Sequence, residues 1–345
     1  MSNAFTPTHD LDLNALQHWL TGKLDADLGP LQALRLSGGQ SNPTYRLTAG
    51  DRRYVLRRKP SGTLLPSAHA IDREFRIIKA LEATEVPVPG ARVYCDDPSI
   101  IGAAFYVMDC VEGRIFWDPT LPELSCDDRR AAWQDFGRVV AALHRVDPAS
   151  VGLADFGRPE GYVSRQISRL GRQYTESGFQ RIEAMDCLIG WLKAHSPIVD
   201  ETAIVHGDLR MDNLIFHPDE PRILAVLDWE LSTLGHPLAD FAYHMLTWRL
   251  TQAQFRGMAG RDLAALCIPG EREYLDAYCC QVGREPVDPL QWKYFLVFAM
   301  FRLAAILHGI ARRAMDGTAS NATARETGAL ARPIAEAAVS LLEID

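Results

Sequence analysis

Asp208, Asn213 and Asp228 are the residues whose types and spacing point most directly to chemistry. Asp208 lies in His206-Gly207-Asp208-Leu209-Arg210-Met211-Asp212-Asn213, which runs straight into the apolar Leu214-Ile215-Phe216. After a turn from His217 to Pro221, the run Ile223 to Leu227 delivers Asp228-Trp229-Glu230. A carboxylate, an amide five positions on and a second carboxylate 20 positions past the first, at a strand end, is the arrangement that phosphoryl transfer uses. The first acid orients a hydroxyl and takes its proton. The amide and the second acid hold Mg²⁺, because charge on a transferring phosphate needs converging oxygen ligands and a cation. Arg210, two past the acid, is placed to reach the γ-phosphate.

The elements that must position these groups are legible on both sides. Two short strands joined by the His217–Pro221 turn form a hairpin-like unit that carries all three side chains. Upstream, Asp10 or Asp12 caps a helix through Leu13, Leu16, Leu20 and Leu24, ended by Gly29-Pro30. A β-meander follows, through Leu34-Arg35-Leu36, Tyr45 to Thr48 and Tyr54 to Arg57. Its first turn, Ser37-Gly38-Gly39-Gln40-Ser41-Asn42-Pro43, is glycine-rich, so backbone N–H groups near Ser41 and Asn42 can cover phosphates. From Ala68 to Thr84, Ile71, Phe75, Ile78 and Leu81 make one helical face, and Glu74 falls inside that stripe. A carboxylate buried alone costs several kcal/mol, so Glu74 requires a cation. Kinases pair a third-strand Lys with a helix-borne Glu, and by that analogy Arg57 is assigned as its partner, with Arg58 and Lys59 as the neighbouring registers and Glu74 merely at the edge of the stripe as the alternative.

The His-Gly-Asp loop, with Gly207 where protein kinases carry Arg, the Leu-Asp-Trp-Glu at 227–230 and the downstream Gly235-His236-Pro237-Leu238-Ala239-Asp240 resemble the aminoglycoside phosphotransferase and choline kinase superfamily. The resemblance implies an α+β, two-lobed protein-kinase-like fold: a small antiparallel-sheet lobe over residues 1–110 and a larger, mainly helical lobe over 111–345. It implies ATP or GTP as donor, Mg²⁺ as cofactor and a small-molecule hydroxyl as acceptor. Arg57 then stands where the family carries a phosphate-holding Lys. Strand Ala104 to Met108 and the following Asp109-Cys110-Val111-Glu112-Gly113 resemble the hinge, so adenine is expected along the backbone near Met108 and Cys110.

In the larger lobe, residues 129–146 form an amphipathic helix with Trp133, Phe136, Val140 and Leu143 inward and His144 structural. Asp240 anchors the catalytic loop through its backbone or His206, and His206 is a buried brace. Arg165, Arg169 and Arg172, at i, i+4 and i+7, line one side of a helix. Such a stripe suits an anionic acceptor or a solvated face neutralised by nearby acids. The segment from Val151 to Tyr174 is also similar to kinase-like domains fused to, or encoded beside, acyl-CoA dehydrogenase-like proteins, which implies hydroxyacyl-CoA acceptors and a functional link to such a dehydrogenase. An aminoglycoside or choline-like amine kinase and a nucleotide-binding pseudokinase are the alternatives. Residues 250–290 read as the acceptor wall.

The bulk properties narrow the classes further. A chain of 345 residues, 47% hydrophobic and 23% charged, is long enough for two cores. Its net charge of −8 argues against nucleic acid as a main partner. Seven cysteines, an odd number without zinc-ligand spacing, and a polar opening stretch without signal-peptide character lead us to expect reduced thiols and a cytoplasmic protein. The apolar run Tyr294–Phe301, broken by Arg302 and resumed to Leu307, is expected to be a buried helix rather than a membrane span.

Overall fold

The computed structural model describes residues 6–7, 11–24, 28–36, 42–60, 70–196, 200–317 and 323–343. It divides into two units: Met1–Gly113 with Leu224–Glu230, and Arg114–Ile223 with Leu231–Asp345.

The first unit is built on an antiparallel sheet of β1 (Thr6–Pro7), β2 (Leu31–Arg35), β3 (Thr44–Ala49), β4 (Arg52–Arg58), β5 (Ala91–Cys95) and β6 (Phe105–Asp109), in the order β1-β2-β3-β4-β6-β5. Helix α1 (Leu13–Leu20) is capped by Asp12, whose carboxylate accepts from Ala15 N at 2.9 Å. It stops four residues before Leu24: Thr21 turns its hydroxyl back onto Gln17 O, and Gly22 takes φ +79°. Leu16 and Leu20 join Tyr45, Leu47, Leu56, Phe105 and Val107 in one apolar core. The period-two alternation of β4 puts Leu56 and Arg58 on that face, so Arg57 projects from the opposite face. Helix α2 (Ile71–Leu81) lies there, burying Ile71, Glu74, Ile77, Ile78 and Leu81, while Phe75 is half-buried against Tyr94 and Tyr106.

In the second unit, α3 (Cys126–Arg145), α4 (Tyr162–Thr175) and α5 (Glu183–Ala194) precede β7 (Ala203–Val205), β8 (Leu214–Phe216) and β9 (Ile223–Val226), the last of which carries the chain into the first unit. Strand β10 (Thr233–Gly235) returns and pairs with β7. There follow α6 (Pro237–His244), α7 (Leu246–Arg249), α8 (Gln252–Phe255), α9 (Glu271–Val282), α10 (Pro289–Met315), α11 (Ala324–Ala329) and α12 (Ala331–Ser340). Helix α10 is the axis of this unit, packing against α4, α5, α6, α11 and α12. Asp288 caps it and Pro289 starts it, so it extends well beyond the apolar run to 27 residues. It is therefore long and apolar enough to cross a membrane by length and composition, a reach that the interrupted run did not foretell. Yet 78% of its most apolar window is buried inside the protein, as befits a core helix.

The expectation of reduced thiols throughout is corrected at one pair. Cys126, at the start of α3, and Cys267, in the loop before α9, are joined as a disulfide with Cα atoms 5.4 Å apart. They are 141 residues apart in sequence, and only the packing of the 250–270 segment against the α3 N-terminus brings them together. Arg129 reinforces the same junction by donating to Leu266 O at 2.8 Å.

Candidate active site

The catalytic-loop segment of the second unit starts where β7 ends. Gly207 adopts φ +83°, and a Cβ there would stand 2.9 Å from Leu231 O, so only glycine fits this turn without strain. Asp240, near the start of α6, is fully buried and takes the two N–H groups on either side of the first turn peptide: His206 N at 2.8 Å and Gly207 N at 2.8 Å. Helix α6 is itself fixed by His236, whose ring accepts from Leu238 N, and by Pro237 at its first position. Burial alone would raise the Asp240 carboxyl, but hydrogen bonding to His144, the nearby histidines and the His206 amide hold it below the usual range. His144 lies 3.3 Å from Asp240 and hydrogen-bonds the Tyr278 hydroxyl at 2.7 Å, a structural position. His206 is fully buried, and its ring accepts from Asp208 N.

This scaffold presents Asp208 to Asn213 and Arg210, with the Tyr243 hydroxyl also hydrogen-bonded to it. Asn213, in the one-turn 3₁₀ segment Met211–Asn213, donates from Nδ2 to Asp208 O at 2.8 Å and to Asp208 Oδ2 at 3.1 Å. Arg210 Nε lies 3.3 Å from Asp208 Oδ1, and its Nη2 lies 3.4 Å from Asp212, so it bridges two carboxylates. The Arg210 guanidinium also covers the Phe255 ring at 5.6 Å. Arg256, in a left-handed backbone position after α8, binds Asp212 at 2.6 Å and covers Trp117. Arg210, Tyr243, Phe255, Arg256 and the 62%-exposed Trp117 thus line a cavity beside the catalytic loop, and the 250–290 segment contributes part of its wall.

Arg57 is the centre of the site in the first unit. Its Nη1 lies 3.1 Å from Glu74 Oε2, and its Nη1 and Nη2 each reach Asp228 Oδ1 at 3.4 Å. Tyr106 and Asn42 hold the rest of Glu74, the hydroxyl at 2.9 Å and the amide at 2.8 Å. Burial raises the Glu74 carboxyl, with Arg57 and those two hydrogen bonds pulling it back. Burial also opposes the Arg57 charge, but Tyr106, Glu74, Asp228 and Glu230 outweigh it, so the guanidinium stays ionised. Arg58 belongs to the opposite face, donating to Ile101 O at 3.2 Å, and Lys59 follows the strand's end. Asp228 is one of the few non-glycine residues at positive φ, +67°, which is the kind of backbone strain that collects at functional sites.

Each unit carries an oxygen of the kind a divalent cation takes: in the second, Asn213, whose amide nitrogen is used on Asp208, and in the first, Asp228, whose Oδ1 is used on Arg57. Both are hard oxygens, as Mg²⁺ requires, and Mg²⁺ ordinarily completes its shell with phosphate and water rather than an all-protein cage. Among the described residues no group of three or more His, Cys, Asp or Glu side chains could hold a metal.

The remaining residues singled out by sequence fall into several classes. Ser41 lies outside the described residues. Asn42 is fully buried with its amide on Glu74, so its side chain braces the Arg57 pair. Met108 is a buried sheet residue opposite Val55, and Cys110, half-buried, donates its N–H to Arg53 O. Arg165, Arg169 and Arg172 do share helix α4, and among the described residues none of them forms an ion pair; Arg165 caps Arg158 O and Arg169 holds Gln166. Burial and the charge of Arg302 lower the Arg169 guanidinium. Sequence reading missed Tyr106 and Arg302. The signal for Arg302 was present, as a single cation in an apolar helix, but its partner could not be named.

An Asp208–Asn213 pair on a glycine turn pinned by Asp240 and, within the first unit, an Arg57–Glu74 pair reaching Asp228 are the features that align the chain with kinase-like phosphotransferases. The chain belongs to the phosphotransferase enzyme family APH, whose model matches residues 32–278. It is 46% identical over 328 residues to acyl-CoA dehydrogenase family member 10 of Mus musculus, covering 94% of this chain and 30% of that protein. It is 40% identical over 343 residues to family member 11 of Rattus norvegicus, covering 97% and 44%. The chain therefore spans less than half the length of these curated relatives. A crystal structure of a protein assigned to the aminoglycoside phosphotransferases, from Ralstonia eutropha JMP134, matches with TM-score 0.88 at 46% identity, covering 96% of this chain and 98% of that one. Aminoglycoside phosphotransferase APH(4)-Ia in a ternary complex with AMP-PNP and hygromycin B matches at TM-score 0.62 and 17% identity, covering 95% and 98%, a likeness of fold. The fold is protein-kinase-like and α+β, as the sequence implied.

Proposed function

We propose that this phosphotransferase moves the γ-phosphate of ATP or GTP to the hydroxyl of a small anionic metabolite, with hydroxyacyl-CoA thioesters as the preferred class. The observation that carries the transfer is the Asp208 carboxylate, held by Asn213 at 3.1 Å on a loop pinned through two backbone amides by Asp240. In this reading Asp208 aligns the acceptor hydroxyl and takes its proton. Asn213 and Asp228 would hold Mg²⁺, which when bound neutralises phosphate charge. Arg57, oriented by Glu74, grips the phosphates, and Arg210 stands ready to exchange a carboxylate for the γ-phosphate. Adenine would lie along the backbone at Met108 and Cys110.

Two observations support the anionic acceptor. Arg165, Arg169 and Arg172 share one helix without carboxylate partners among the described residues, which suits an anion better than a polycationic drug. Two of the relatives bear acyl-CoA dehydrogenase names, which also favours a functional link to such an enzyme. The test is nucleotide consumption against a panel of hydroxyacyl-CoA esters, aminoglycosides and choline-like amines. Turnover with the CoA esters, lost by about 10³-fold in Asp208→Ala with nucleotide binding retained, is expected. Turnover with amines alone would reverse the acceptor assignment, and unimpaired Asp208→Ala would remove the base.

A further inference from the structure

Arg302 interrupts the most apolar segment of the chain, between Phe301 and Leu303, in the middle of α10. It is buried, at 8% exposure, in a stretch of the helix whose neighbours in sequence are apolar and buried. A guanidinium in such a place is retained only if its desolvation is compensated. Among the described residues Arg302 has no carboxylate at ion-pair distance. Its compensation comes from a backbone carbonyl, Gly207 O, which accepts from Nη2 at 2.7 Å, and from the Tyr243 ring, whose centroid lies 4.8 Å from the guanidinium carbon. The charged and polar groups that act on it are Tyr162, Tyr243, Asp240 and Asp208, with the like charge of Arg169 opposing them.

The choice of carbonyl matters, because Gly207 O belongs to the peptide unit that joins Gly207 to Asp208. Asp240 fixes the two preceding N–H groups of the same turn, at His206 and Gly207. An anion therefore holds the amides from one side while a cation holds the next carbonyl from the other. No side chain fits at Gly207, since Leu231 O closes the space. If the Gly207–Asp208 peptide rotated, the Asp208 carboxylate would swing away from Asn213 and Arg210.

We propose that Arg302 is a positioning residue for the phosphotransfer base: it clamps the Gly207 carbonyl against the pull of Asp240 and so sets the direction in which Asp208 faces. This rests on the phosphotransfer reading above and adds to it a residue on a helix remote in sequence. Arg302 acts through the loop backbone and has no direct role in chemistry.

The experiment compares wild type with Arg302→Met, which keeps volume and removes the donor, and Arg302→Lys, which keeps the charge but loses the fork. In Arg302→Met, kcat is expected to fall about 100-fold, the scale set by small misplacement of a reacting group. KM for nucleotide and acceptor should stay within about threefold of wild type, since uniform binding is untouched. Arg302→Lys should recover part of kcat, and ethylguanidinium should restore activity to Arg302→Ala. Unchanged kcat would overturn the proposal, and so would a rise in acceptor KM with constant kcat, which would make Arg302 a substrate contact. Hydrogen exchange supplies a readout independent of turnover. Amides of 206–213 should exchange about tenfold faster in Arg302→Met while the α10 amides stay protected. If wild type phosphorylates no hydroxyl yet this loop loosens, the clamp stands and the phosphotransfer reading fails; a loop unchanged in exchange sinks the clamp itself. Should Arg302→Met not fold, the lysine variant carries the same exchange and kcat comparisons, with an intermediate effect expected and a wild-type result overturning the proposal.

Discussion

Arg57 and Glu74 meet at 3.1 Å with their side chains 10% and 1% exposed, so an ion pair with almost no access to solvent joins β4 to α2. Each partner is there because the other is. Both strand alternation and helical periodicity send these polar side chains toward the same buried layer, where either charge alone would be left without compensation. Arg57 also reaches Asp228, which ties the proposed phosphate-binding residue to a proposed metal ligand.

Replacing Glu74 by Gln should therefore cost far more than a surface change. The variant leaves Arg57 buried beside a neutral amide, and a loss of about 3 kcal/mol is expected from breaking one side of a buried pair. Nucleotide KM should rise as Arg57 reorients toward Asp228. Denaturant unfolding and initial-rate kinetics on the same preparation check both effects; unaltered stability would show that the pair is not the brace described here.

The stability of the protein should fall on acidification well before its carboxylates titrate. Burial forces the His244 imidazole down to about 3 from 6.5, against the opposing pull of Asp240, and its Nε2 hydrogen-bonds the Tyr274 hydroxyl at 3.0 Å. The folded state thus keeps His244 neutral while the unfolded state takes up a proton below its ordinary value. Stability present above pH 6.5 is lost as pH falls through the window from 6.5 toward about 3, with a limiting slope of about 1.4 kcal/mol per pH unit from this group. A His244→Gln variant should start less stable and show a shallower decline in Tm across that window. Parallel curves for the two proteins would mean that another group governs the acid limb.

The Cys126–Cys267 disulfide closes a long loop, so its reduction should be felt thermodynamically. Cys126→Ser is expected to lower unfolding free energy by about 2–4 kcal/mol under non-reducing conditions and to be nearly neutral when wild type is fully reduced. Thiol counting on the unfolded chain, with and without prior reduction, provides the control. Five free thiols before reduction and seven after would agree with this pairing.

The sequence by itself determined the loop chemistry. Asp208, Gly207 and Asn213 lie within seven residues of one another, and a short stretch bounded by strands leaves few ways to place an acid, a turn and an amide. The α+β fold was legible for a related reason, because the hydrophobic period changes from two to 3.6 where strands give way to helices. Helix ends were less so: α1 stops at Thr21 because a local hydroxyl and Gly22 end it earlier than the leucine repeat implies, and α10 runs longer because both its cap and its last turns lie outside the apolar run.

Tertiary structure alone decided the partners. Whether Arg57, Arg58 or Lys59 faces Glu74 is a matter of strand register, since a shift of one residue exchanges the faces. The Asn42 side chain is enclosed beside Glu74, and Tyr106 joins it there from β6. Arg302 reaches Gly207 over 95 residues and Cys126 reaches Cys267 over 141, separations at which no local pattern selects one partner among many. Local sequence sets backbone preference and side-chain chemistry, whereas the pairing of buried polar groups is settled only when packing excludes water and fixes which groups lie within reach of each charge.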